Sequence, residues 1–140
     1  MPEILIAADA QSVFDEVRSV LEDPDTSVRW VRRGEEVRDE MNRRPADLVI
    51  ADMQIGAMGG IAVALDLDLE ADAGRLESRP VLLLLDRRPD VFMARRSRAD
   101  GWLLKPLDPI RLRTAVSALL AGGTWYDASF LPQPVAVPVN

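Results

Sequence analysis

Histidine and cysteine are both missing from the 140 residues. Without histidine there is no His-based zinc site, no Ser-His-Asp triad and no imidazole general base. A histidine kinase or a phosphohistidine carrier is excluded on the same ground. Without cysteine there is no disulfide framework, thiolate metal site or thiol nucleophile. Phosphoryl chemistry, if any, falls to carboxylates and hydroxyls. Long apolar runs are missing too. The longest, residues 81–85, is far too short to cross a bilayer. No charged leader with an apolar stretch and a small-residue cleavage site is visible, so the expectation is a cytoplasmic protein without a membrane partner.

What remains suits one soluble domain with a sizeable core: 48% of residues are hydrophobic and 29% charged. The formal charge of −6 argues against nucleic acid as a direct partner. The charge is uneven, however. Residues 87–113 carry eight Lys/Arg against three Asp, a net +5 that leaves −11 on the rest. A cationic third on an anionic chain fits an acidic protein partner or self-association; a solvated arginine-rich helix is the plainer reading.

Apolar runs at 4–8, 28–31, 47–51, 80–85 and 101–104 read as strands. Between them the period changes to that of a helix. Val13, Phe14, Val17, Val20 and Leu21 form one stripe, with Asp9 as candidate cap. A charged helix follows from Gly34 to about Arg44, with Val37 and Met41 inward. A third starts near Gly60 and is expected to turn Ile61, Ala62, Ala64, Leu65 and Leu69 inward. A short one over 90–97 has few apolar residues and is expected to dock loosely. Asp108 then caps a helix with Pro109 at its first position, a stripe of Leu112, Ala115, Val116, Leu119 and Leu120, and a stop at Gly122-Gly123.

Five strands alternating with five helices predict an α/β fold, a doubly wound five-stranded parallel sheet. The right-handed crossover rule and short links favour the flavodoxin-like order 2-1-3-4-5. The domain is expected to span 1–122. The Pro-rich apolar stretch 123–140 is expected to stand apart from the fold, as a disordered tail or as an arm on its own domain or a second chain.

That topology brings three charged residues to the carboxyl ends of strands, where such sheets bind ligands. Asp9 follows the first strand, Asp52 the third and Lys105 the fifth. Two carboxylates suit a hard divalent cation, and a lysine supplies a point charge for a phosphoryl group. The plainer readings are a helix cap for Asp9 and a surface lysine for Lys105.

Together with the loop ending at Gly60 and the stretch 99–106, these residues make the chain resemble the receiver domain of two-component response regulators, over residues 4 to about 121. The resemblance implies that Asp52 accepts a phosphoryl group from a histidine kinase or phosphotransfer protein. It implies magnesium held by Asp9, Asp52 and the Gln54 backbone carbonyl. It further implies Lys105 paired with the phosphoryl group and a cis bond to Pro106.

The departures are specific. Ala8 stands where receivers carry a second acid. Leu85 replaces the switch Ser or Thr, and Asp86 replaces a small neighbour that leaves room for the phosphoryl group. A carboxylate at 86 repels that group unless it turns outward to Arg87 or Arg88. Trp102 occupies the place of the switch aromatic; the plainer reading is core packing against the last helix.

The resulting expectation is a stand-alone, atypical receiver, not an enzyme, whose output is a protein contact and whose magnesium binding is weak or lost. The alternative is a degenerate receiver acting as a phosphorylation-independent interaction module. An aspartyl phosphatase needs a second Asp where Gln54 stands. A flavin carrier would set the Asp52 carboxylate against a phosphate.

Overall fold

The computed structural model describes residues 1–56 and 58–129. The five apolar runs form β1 (Glu3–Ala7), β2 (Ser27–Val31), β3 (Leu48–Asp52), β4 (Val81–Leu85) and β5 (Gly101–Leu104). Strands buried on both faces need helices on both sides. These are α1 (Gln11–Leu21), α2 (Glu35–Arg43), α3 (Gly60–Asp72), α4 (Asp90–Arg96) and α5 (Pro109–Leu120). A sixth strand, β6 (Trp125–Tyr126), joins the far edge. The sheet is parallel in the order β2-β1-β3-β4-β5-β6, so the expected order holds with one strand added.

Strand alternation divides the core in two. Leu5, Ala7, Val49, Ala51, Leu83 and Leu85 face α2, α3 and α4. Ile4, Ile6, Leu48, Ile50, Leu82, Leu84 and Leu103 face α1 and α5. Burying each large aliphatic side chain contributes roughly 1.5–3 kcal/mol.

Four details differ from the sequence expectation. Trp102 does not pack on the last helix. It lies in register with Leu83 and shares that residue's face, opposite α5. The inner side of α3 is Gly60, Val63, Ala64, Leu67 and Glu70, while Leu69 is 62% exposed. Leucines at 65, 67 and 69 define no helical stripe, so packing partners choose the face. Glu70 is drawn in by a bidentate pairing with Arg75 at 2.8 and 3.0 Å. Helix α4 docks through Val91 and Ala94, and exposes Phe92 and Met93.

The fourth difference is partial: the stretch after 122 packs on its own domain, one of the alternatives expected for it, but as far as residue 129 it does so by adding a strand to the sheet. Gly122, at φ +87°, ends α5 in the left-handed region and turns the chain back toward β5. Trp125 N–H then donates to the Asp100 carbonyl, and Asp127 N–H to that of Trp102, each at 3.1 Å. The expectations for Phe130 and beyond lie outside the described residues.

Gly60 starts α3 against the end of β3. A Cβ there would sit 2.5 Å from the Asp52 carbonyl oxygen. Gly60→Ala is therefore expected to destabilise the fold by about 1–3 kcal/mol through overpacking. Urea unfolding should show a lower midpoint at unchanged slope; an unchanged midpoint would refute the close approach.

Candidate functional site

β3 is flanked by β1 and β4, and its last residue, Asp52, is 4% exposed. Lys105 leaves the end of β5, its backbone N–H held by the Leu85 carbonyl at 2.9 Å. Its Nζ donates to Asp52 Oδ1 at 2.7 Å and to Asp86 Oδ1 at 2.8 Å. One ammonium is thus shared between two carboxylates from β3 and from the loop after β4. The Lys105–Pro106 bond is cis.

Asp86 does not turn outward to Arg87 or Arg88. Its backbone N–H and that of Arg87 both donate to Asp90 Oδ2, at 3.2 and 3.0 Å. The buried Asp90 carboxylate thereby tightens the loop, and the Asp86 carboxylate points to Lys105. Arg87 instead lies 3.8 Å from Asp90. Leu85 is fully buried in the core facing α2, α3 and α4, and offers no donor to the site.

Asp9 does not cap α1. The cap position is Ala10, with no side-chain cap bond. Asp9 is exposed, and its Oδ2 accepts from Gly56 N–H at 3.4 Å, across to the loop after β3. Ala8, in place of a second acid, is wholly buried, and its carbonyl accepts from Trp30 Nε1 at 2.7 Å.

Burial raises the Asp52 carboxyl above its ordinary range; the Lys105 hydrogen bond and charge pull it back only in part, and the Asp86 charge adds to the rise. For Lys105, burial opposes the ammonium, but bonds from Asp52 and Asp86 outweigh it and hold the group above its usual range. The site is an ion triad with one excess negative charge.

Among the described residues, no group of three or more carboxylates is poised around a cation position. The donors that the resemblance names, Asp9, Asp52 and the Gln54 carbonyl, are all oxygen, the donor type that suits magnesium, which keeps several of its waters. Among the described residues no helix is long and apolar enough to cross a membrane.

Asp90 and Asp127 are the polar residues that the sequence did not point to. Asp90 had a weak signal, an acid beside a proline at a helix start. Asp127 had none.

The model of the response regulator receiver domain matches residues 4–117. An uncharacterized response regulatory protein of Mycobacterium tuberculosis, found in two strains, is 37% identical over 98 residues, covering 69% of this chain and 70% of that protein. The receiver domain of a signal transduction histidine kinase from Syntrophus aciditrophicus superposes with a TM-score of 0.77 at 26% identity, over 99% of this chain and 98% of that one. A chemotaxis protein of Vibrio cholerae gives 0.72 at 21% identity, over 85% and 98%, and shares the fold.

An acid with a raised pKa holds its proton more tightly folded than unfolded, so stability is lost as pH rises through that pKa. Asp52→Asn removes this loss and leaves Lys105 paired with Asp86. The variant is expected to unfold at higher urea than the parent at neutral pH. The gain should shrink as pH falls into the carboxylate range. A lower midpoint at neutral pH would mean that the Lys105 pairing outweighs burial.

Proposed function

The chain belongs to the response regulator receiver domain family of two-component signalling, and from that membership we propose that it is a receiver with Asp52 as phosphoacceptor and a protein contact as output. The observation that carries this reading is Lys105 Nζ at 2.7 Å from a buried carboxylate at a strand end. Receivers of this family interact with histidine kinases or phosphotransfer proteins. In the transfer, an Asp52 oxygen attacks the phosphorus of a phosphohistidine. The O–P bond forms, and the P–N bond breaks with its electron pair passing to the histidine nitrogen. Lys105 then pairs with the phosphoryl oxygens, where a positioned cation contributes most.

Asp9, Asp52 and the Gln54 carbonyl are the residues for magnesium, which supplies positive charge at the phosphoryl oxygens. Asp86 works against the transfer because it occupies Lys105. The cationic 87–113 region, with Phe92 and Met93 exposed on α4, suits an acidic protein surface as the output contact. The chain is not an enzyme in this reading, and its place is the cytoplasm.

The second reading, a phosphorylation-independent interaction module, is favoured by the Asp86–Lys105 bond at 2.8 Å and by the apolar Leu85. Intact mass after incubation with a small acyl phosphate and magnesium separates the two. The parent is expected to gain one phosphoryl mass and Asp52→Asn none. Asp86→Ala is expected to gain it about tenfold faster, because a charge-assisted bond worth roughly 1.5 kcal/mol no longer competes for Lys105. No gain in either folded parent or Asp86→Ala would overturn the phosphoacceptor reading.

A further inference from the structure

Asp9 and the Gln54 carbonyl sit on two separate arms of the site, the end of β1 and the loop after β3. Both arms are braced from the same side. On the first arm, the two backbone groups of Ala8, the residue before Asp9, are taken by β2. Ala8 N–H donates to the Val31 carbonyl at 3.1 Å, and the Ala8 carbonyl accepts from Trp30 Nε1 at 2.7 Å. The indole that reaches back is itself held. The Phe14 ring stacks on it with centroids 4.7 Å apart and planes 6° from parallel, and the Arg32 guanidinium lies 4.4 Å from its centre.

On the second arm, Gly60 N–H donates to the Met53 carbonyl at 3.3 Å and folds the loop back on itself. The loop then rests on the start of α2. A Cβ on Gly34 would lie 2.4 Å from the Met58 carbonyl oxygen and 3.0 Å from Met58 Cβ and Cγ. Gly34 has a φ of −60°, which any residue adopts, so what glycine supplies there is room for the loop. The two arms meet at the rim, where Gly56 N–H donates to Asp9 Oδ2 at 3.4 Å.

Trp30 and Gly34 thus lie on one stretch, the end of β2 and the turn into α2. Neither is itself a candidate ligand, yet each fixes backbone that carries one. With Ala8 in place of a second acid, the first arm depends on Asp9 alone, and a carboxylate left to wander has to be ordered at a cost in affinity.

We propose that residues 30–34 are the positioning element of the magnesium site. Trp30 sets Asp9 through the Ala8 carbonyl, and Gly34 sets the loop that carries the Gln54 carbonyl and Gly56 N–H. Groups that orient metal ligands without binding the ion change affinity by about 10–100-fold when removed. The proposal rests on the reading of Asp9, Asp52 and the Gln54 carbonyl as magnesium donors, and is indifferent to whether Asp52 takes a phosphoryl group.

The test is a titration of the full chain with magnesium chloride, without phosphodonor, followed by the amide resonances of Gln54 and Gly56. In the parent both are expected to shift saturably. Trp30→Phe keeps an aromatic ring for the Phe14 stack and removes the indole N–H; it is expected to bind magnesium about tenfold more weakly. Gly34→Ala is expected to weaken binding likewise, and Trp30→Phe alone carries the test if Gly34→Ala does not fold. Before magnesium is added, the Gly56 amide of Trp30→Phe is expected to move in the same direction as that of Asp9→Asn, because the indole acts through Asp9. Val28→Ala thins the packing of β2 away from both arms and is the control. It should unfold at lower urea and keep the parent's magnesium affinity. Parental affinity in either folded variant, an equal loss in Val28→Ala, or no binding by the parent would overturn the proposal. None of these outcomes bears on phosphorylation of Asp52, which intact mass decides separately.

Discussion

A single ammonium held between two carboxylates fixes the character of this molecule. Lys105 bonds Asp52 at 2.7 Å and Asp86 at 2.8 Å, so the cation at the centre of the site is already satisfied. Either carboxylate can be lost with Lys105 still paired, whereas loss of Lys105 leaves two carboxylates without their cation. The scaffold around the triad is correspondingly stiff. β3 is paired on both sides, Gly60 packs on the Asp52 carbonyl, and the Leu85 carbonyl holds Lys105 N–H. Asp52 and Lys105 are placed by backbone hydrogen bonds at strand ends, and Asp86 by the Asp90 carboxylate that holds the loop after β4.

The parts of the fold that could be read from sequence are those with one dominant pattern. Runs such as 81–85 allow only a strand buried on both faces, and Asp108-Pro109 allows only a helix start. Indeed Asp108 Oδ1 accepts from Ile110 and Arg111 N–H at 2.8 and 3.2 Å. Where two patterns overlap, neighbours decide. Helix α3 carries leucines at every second position, so its inner face is set by Gly60 against β3 and by Arg75 reaching Glu70. Trp102 was assigned to the wrong face because its parity follows from pairing with Leu83, which composition does not reveal. β6 was invisible for a different reason. A two-residue strand has no period, and its anchor is one carboxylate, Asp127, that bonds across to another strand.

The site shows the same division. Asp9, Asp52 and Lys105 were legible because topology alone carries strand ends to a common crevice. The direction of Asp86 was not, since it depends on Asp90, four residues on, taking the backbone N–H groups of the loop. Asp9 was half legible. Its position was evident, but the capping role failed because the helix begins two residues later, which leaves the carboxylate at the rim facing Gly56.

In the proposed reading, phosphorylation of Asp52 would be an exchange of anions on one cation. Before the exchange, Asp52 and Asp86 together carry one more charge than Lys105 neutralises. An incoming phosphoryl dianion has to displace Asp86 from Lys105 and at the same time approach the ionised Asp52. Burial leaves that repulsion poorly screened, and it raises the Asp52 carboxyl, which favours the protonated form over the attacking carboxylate. Asp9 and Asp52 would be the carboxylates for a divalent cation that offsets that repulsion, and Ala8, in place of a second acid, would leave them one ligand fewer. The balance therefore turns on Asp86. While it stays on Lys105, it is itself the anion that the cation was placed to receive. The end of β5 that carries Lys105 is also the end that Asp127 fastens, through Leu104 N–H at 2.9 Å. A change at the outer edge of the sheet is thus one residue removed from the cation on which the exchange takes place.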